Sequence, residues 1–192
     1  MIRFEISDLM LELLDEPIYR VDSVDNMFSY TKQYSNRDGS QVSSSKIGIK
    51  IYQHKELVDS CIIIGIGGAT AITQYSYIIA SENILICCGD SVFCLSLPSL
   101  ELVWNMKLDD ITCFQIFQCQ EDYLIHGELN ITLVNLEGNI KWSFSGKDIF
   151  VSLTQEKAIS ILPDGILLTD FEQTKYKLDF DGKLIWTNNS NM

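Results

Sequence analysis

Trp104, Trp142 and Trp186 are the only tryptophans of this 192-residue chain, and each closes the same kind of segment. The first segment reads NILICCGDSVFCLSLPSLELVW, the second DYLIHGELNITLVNLEGNIKW, the third DGILLTDFEQTKYKLDFDGKLIW. In each, an apolar β-prone run meets a polar break, then an alternating run, a turn and a short run ending in tryptophan. The tryptophans lie 38 and 44 residues apart, and Gly138 and Gly182 each precede theirs by four residues. One such meander is too thin to bury its own apolar face, so the copies must stack on one another. The expectation is an all-β domain of repeated antiparallel meanders, an abbreviated propeller-like array, with a β-sandwich as the alternative. Each tryptophan then supplies an apolar plate at a contact, its indole N–H finding a carbonyl at the rim.

From Ile47 onward the pattern is strand, turn, strand. Ile47, Ile49 and Ile51 alternate, Gln53 to Glu56 makes a tight connection, and Leu57 to Ile64 reads as a strand buried on both faces. Four blades of ~40 residues would need ~160, which residues 47–192 supply with a strand lent by the amino terminus. Residues 1–46 differ, and are expected to form a short irregular or partly helical region packed on the main unit. Ile2, Phe4 and Ile6 alternate as in a strand; Leu9, Met10, Leu13 and Leu14 recur at helical spacing, with Asp8 as cap and Pro17 as stop. A further strand is expected near Ile18 to Val24, and Ser35 to Ser45 (SNRDGSQVSSS) is the expected boundary loop.

Hydrophobic residues make up 46% and charged residues 21%, an ordinary globular balance. The net charge of −12 is repelled by phosphate backbones and anionic lipid, which argues against nucleic-acid and membrane partners and favours a basic protein. The amino terminus carries acids through its apolar part, unlike a signal peptide, and the longest apolar stretch is far shorter than the ~20 residues that span a bilayer. A cytoplasmic location follows as the expectation. Cys61, Cys87, Cys88, Cys94, Cys113 and Cys119 all sit in apolar runs without CxxC spacing, as buried free thiols would. No metal or cofactor is expected: Cys113, Cys119 and His126 are of ligand type but have no metal-site spacing.

Few residues suggest chemistry. GIGGAT at Gly65 to Thr70 follows a strand as a dinucleotide loop does, but the extended-looking residues after it lack the required helix. A tight backbone crossing that only glycine tolerates is the better reading. Of two histidines, His54 falls in a hairpin turn, whereas His126 could share a strand face with Glu128. A pocket formed by His126, Glu128, Gly67 and Gly68 is therefore the candidate ligand or enzyme site. Asp181-Gly182, Pro163-Asp164-Gly165 and Glu137-Gly138 read as hairpin turns. No GxSxG elbow, HExxH pair or P-loop occurs, and no catalytic residue is assigned.

Two resemblances bear on these residues. LSLPSLELVW (Leu95 to Trp104), with NLEGNIKW and DFDGKLIW as shorter versions, resembles the repeats of pyrroloquinoline-quinone-type β-propellers, with Leu100 standing where the turn glycine would be. That likeness implies an architecture; no quinone ligand set accompanies it. SKIGIKIY, GGAT, ILICCGDSVFCLSLP, HGELNI and WSFSGKDIF together resemble a family of small uncharacterised bacterial proteins, similar in turn to immunity proteins of polymorphic toxins. The resemblance implies a non-enzymatic protein that neutralises a cognate toxin through an acidic surface, for which Asp109, Asp110, Glu121 and Asp122 are the candidate contacts. A small enzyme or ligand binder and a structural repeat subunit are the alternatives.

Overall fold

The computed structural model describes residues 1–36, 43–152 and 157–188, all of them strands, turns or irregular segments. The first sheet holds β1 (Ile2–Ile6), β2 (Leu9–Asp15), β3 (Lys32–Ser35), β4 (Ser43–Gln53) and β5 (Glu56–Ile66), in the order β1-β2-β4-β5-β3. Three four-stranded meanders follow. They are β6 (Tyr77–Ala80) to β9 (Leu102–Lys107), with β7 (Asn83–Cys88) and β8 (Ser91–Ser96) between; β10 (Cys113–Cys119), β11 (Asp122–Gly127), β12 (Asn130–Val134) and β13 (Ile140–Ser145); and β14 (Ile159–Leu162), β15 (Gly165–Thr169), β16 (Lys175–Leu178) and β17 (Leu184–Asn188). The expected all-β propeller-like array is what forms. Each sequence repeat supplies the last three strands of a meander; β6, β10 and β14 complete them.

Three apolar cores hold the array together, between first and second, second and third, and third and fourth sheets. Among the described residues none joins the fourth sheet to the first. The array is open.

The helix expected over residues 9–14 is instead strand β2. Alternation decides it: Leu9, Leu11 and Leu13 all pack into the first core, while Glu12 points the other way. Ser7 takes the left-handed backbone (φ 55) that turns β1 back onto β2, and β4 pairs along the other edge of β2. Non-local pairing of this kind overrides a short helical spacing. Ile18 to Val24 is not a strand but part of an irregular loop. The supposed boundary at Ser35 to Ser45 lies largely outside the described residues. In β5, Ser60 to Gly65 is buried on both faces, but Leu57 and Val58 are exposed.

The tryptophans show how one sheet grips the next. Trp104 Nε1–H donates to Leu136 O (2.8 Å) and its ring lies beneath Gly138; Trp142 Nε1–H donates to Phe180 O (2.9 Å) beneath Gly182. Both glycines are left-handed (φ 85 and 78), and a Cβ on either would meet the indole. At the first interface Tyr34 of β3 does the equivalent work, its hydroxyl donating to Leu100 O at 3.0 Å. Leu100, in the glycine's place, does adopt the left-handed backbone (φ 48) and is fully buried.

A second set of contacts runs along the opposite rim as a backbone staircase. Asp90 N–H donates to Ile66 O, Cys113 to Gly89, Glu128 to Thr112, Phe150 to Glu128 and Phe171 to Ile149, all at 2.7–2.8 Å. The Gly65–Gly68 cluster belongs to this crossing: a Cβ at Gly65 would strike the Cys88 carbonyl, and one at Gly68 the Thr112 hydroxyl. No helix follows it.

Candidate docking loop and the histidine cavity

Between β2 and β3 the chain leaves the first sheet and crosses its outer face, the one turned away from the second sheet. Pro17, which cannot donate to a ladder, comes one residue after Glu16, whose N–H makes a last bond to Lys46 O (2.9 Å) beyond the end of β2. Tyr19 and Tyr30 pack on Ile62 and Ile64 with their rings 5.8 Å apart, edge to face. The Tyr30 hydroxyl donates to Glu16 Oε1 at 2.9 Å; burial, then the hydrogen bond to Glu16, push its pKa far up, so it stays a donor. Lys50 places its ammonium 3.5 Å from the centre of the Phe28 ring, a cation–π contact on a nearly buried lysine. Asn26 clamps the loop on itself, accepting from Arg20 N–H (2.8 Å) and donating to Arg20 O (2.6 Å) and Ser23 O (3.0 Å).

What this fixed loop presents outward is apolar. Ile18 is 75% exposed, Val21 52%, Val24 98% and Met27 76%. Asp22 and Asp25, both exposed, lie among them, together with Arg20. Four large apolar side chains held in water by a loop with its own hydrogen-bonded frame are costly to expose and already ordered for contact. The signal was legible in part, as apolar residues at every third position interleaved with acids. The strand expected near Ile18 to Val24 masks it, because a spacing of three does not fit the two-residue period of a strand.

The four acidic candidates are separated by the fold. Asp109 is 2% exposed and accepts four backbone N–H groups: Ile111 (2.7 Å) and Thr112 (3.1 Å) on Oδ1, Leu129 and Asn130 (2.8 Å each) on Oδ2. It staples the linker before β10 to the turn after β11. Asp110 is exposed and pairs with Lys107. Glu121 and Asp122 sit at the other end of β10, roughly 20 Å away at strand rise. Asp122 is mostly buried and pairs with Lys141 at 2.7 Å.

His126 is 7% exposed. Its Nε2–H donates to Phe150 O at 2.6 Å, and Nδ1 lies 3.1 Å from the Gln115 side-chain amide, so a neutral ring accepts from that amide once its NH₂ is turned inward. Burial pushes its pKa down, against the opposing pull of the Phe150 bond and Asp109. The ring forms one wall of a cavity of roughly 290 Å³, with Tyr75, Gln115, Phe117, Lys157 and Ile159 among the other walls. Glu128, Gly67 and Gly68 are not among its lining residues; they take part in the rim staircase. Both imidazole nitrogens are thus engaged within the wall. All six cysteines are buried, and Cys113 and Cys119 lie at opposite ends of β10, so they do not share a site with each other. Among the described residues no group of three His, Cys, Asp or Glu side chains could hold a metal ion.

No protein-family model matches the chain, and no curated relative does. Solved structures match in shape. The computationally designed Ika8 protein is 6% identical with a TM-score of 0.52, the match covering 97% of this chain and 60% of that one. BamB from Moraxella catarrhalis is 12% identical with a TM-score of 0.45, over 78% of this chain and 44% of BamB. A protein of unknown function from Bacteroides caccae is 15% identical with a TM-score of 0.46, over 76% and 60%. The chain spans about half the length of these structures, 44–60%. The likeness is one of fold. No helix among the described residues is long and apolar enough to cross a membrane.

Proposed function

We propose that this chain is a non-enzymatic protein-binding module that docks a basic protein through the loop spanning residues 17–28. The observation that supports it is the pairing of Ile18, Val21, Val24 and Met27, all more than half exposed, with a frame that keeps them ordered. Pre-ordered apolar side chains lose little entropy on binding, and such anchors carry most of an interface's affinity. Asp22 and Asp25 beside them, on a chain of net charge −12, steer a positively charged partner to that surface. In its specific form the reading is an immunity protein that neutralises a cognate toxin by covering its basic surface.

The test is co-expression with the toxin-like product of a neighbouring gene. Expected are protection of the cell and a complex whose affinity falls by ~30-fold or more in Val24→Glu, with the fold intact. Absence of protection, or an unchanged affinity in Val24→Glu and in Ile18→Asp, overturns the reading. The second reading, a small-ligand binder, draws on the cavity beside His126 with its aromatic walls Tyr75 and Phe117. Its size is at the lower edge of small-molecule sites.

A further inference from the structure

The two-residue turns set which residues correspond between sheets. Ala80 and Asn83 flank the turn from β6 to β7 as Cys119 and Asp122 flank that from β10 to β11. Ile78 and Leu85 therefore correspond to Phe117 and Leu124, and Ser76 and Cys87 to Gln115 and His126. Between the second and third sheets that last place is filled. Ser76 and Cys87 are fully buried, and Cys87 packs with Cys113 in the core those sheets share. Between the third and fourth sheets the same place opens into the cavity of roughly 290 Å³. Small apolar side chains would close such a gap at lower cost, because buried polar groups must first be hydrogen-bonded. The wall is instead an amide held against an imidazole, Gln115 against His126.

The cavity is apolar at depth and polar at its mouth. Ala158 and Ile159, both buried, lie at the bottom beside His126. Phe117 and Tyr75 line one side with their rings 6.3 Å apart, and Ile116 N–H donates to Tyr75 O (2.8 Å), which pins Tyr75 beside β10. Tyr75 is 45% exposed and Lys157 is exposed, so these two stand at the entrance. Lys157 is the one charged residue among the described lining residues, and it makes no ion pair or hydrogen bond with any described residue. In a chain with 26 acidic and 14 basic residues, an unpaired lysine at a cavity lined by no acid is a local reversal of charge.

We infer that this cavity binds a small aromatic carboxylate, its ring inserted beside Tyr75, Phe117 and Ile159 and its carboxylate held at the mouth by Lys157; this rests on the small-ligand reading of the cavity and names the ligand class. Size, shape and charge each select it. The volume is the share of ~10 liquid water molecules, which suits a molecule of about ten to twelve non-hydrogen atoms. Aromatic walls favour a flat ring in offset or edge contact. A carboxylate at the entrance stays partly in water while it pairs with Lys157, so little desolvation opposes the pairing. A cationic ligand of the same shape would meet Lys157 as a like charge.

Titration of the isotope-labelled full chain with phenylacetate and with its neutral counterpart phenylacetamide, followed by nuclear magnetic resonance, tests this. Expected is saturable binding of phenylacetate with a dissociation constant below about 1 mM, with the backbone signals of Gln115, Phe117 and Ala158 shifting first. Phenylacetamide should bind ~5-fold or more weakly than the acid. Lys157→Glu should weaken phenylacetate by about 10-fold and leave phenylacetamide unchanged, with the circular dichroism spectrum of the parent. Tyr75→Ala, at a half-exposed position, should weaken both. Equal affinity for acid and amide, or a phenylacetate affinity unchanged by Lys157→Glu, overturns the carboxylate assignment while leaving the cavity a ligand site. Absence of saturable binding of phenylacetate and of the larger naphthylacetate at about 5 mM, or shifts confined to other sheets, overturns both.

Discussion

Trp142 and Phe180 join the third sheet to the fourth: the indole Nε1–H donates to the Phe180 carbonyl at 2.9 Å while the ring lies under Gly182. One residue thus supplies both an apolar plate and the polar tie at its edge, and Trp104 with Leu136 repeats the arrangement one sheet earlier. Replacing Trp142 with alanine should cost about 3–5 kcal/mol, through a cavity at the interface and an orphaned carbonyl. Trp186→Ala, at a residue 44% exposed, should cost under about 1 kcal/mol. Urea denaturation of the two variants separates them.

The turn glycines should tolerate no side chain. Gly182→Ala meets both the left-handed backbone (φ 78) and the Trp142 ring, and should cost about 2–3 kcal/mol. Leu100→Gly is the informative counterpart. It relieves about 1 kcal/mol of left-handed strain but gives up a fully buried side chain, so the net effect is still destabilising. Thermal melts of both variants provide the check.

Asp109 should be a stapling residue for the rim, not a contact for partners. Asp109→Asn puts an amide donor against N–H groups that need an acceptor and should cost about 2–3 kcal/mol. Hydrogen exchange should quicken first at Ile111, Thr112, Leu129 and Asn130, which donate to the carboxylate. Uniform quickening across all sheets would contradict a local staple.

His126 gives stability a pH dependence of definite sign. Its folded pKa is lowered, burial being the main cause, so below its ordinary value of 6.5 the unfolded chain binds the proton more readily than the folded one. The histidine's contribution is intact above about 6.5 and is lost as pH falls toward the folded pKa. Denaturation midpoints measured from pH 7 down to pH 5 should decline, and His126→Gln should flatten that decline.

The thiols should be silent in the native state. Burial raises every cysteine, Cys94 to about 12, and a thiolate is the reactive form. A thiol reagent at neutral pH should label none of the six in native protein and all of them in denaturant.

Much of the fold was legible because β-repeats are written locally. Alternation, a tight turn and a tryptophan four residues on recur in each copy, with glycine at the turn in the second and third, and each step depends only on near neighbours. Even the odd turn at Leu100 could be placed, since left-handed backbone was required there whatever residue filled it. The amino-terminal hairpin was less legible: Leu9 to Leu14 satisfies two periodicities, and only pairing of β2 with β1 and β4 selects one. The candidate site was least legible. Asp109 and Asp110 are adjacent in the chain, yet one is sealed under four N–H groups and the other is in water, a difference set by the turn after β11. His126 and Glu128 were expected to share a face, and the staircase turns Glu128 into a rung while His126 faces the cavity.

The sequence by itself determined the repeat unit, its turns and the need for stacking, because those follow from side-chain periodicity and backbone preference. Tertiary structure decided which surfaces stayed uncovered. The Trp186 segment reads like those of Trp104 and Trp142, and its exposure arises only because no described sheet follows to bring a carbonyl and a glycine over it.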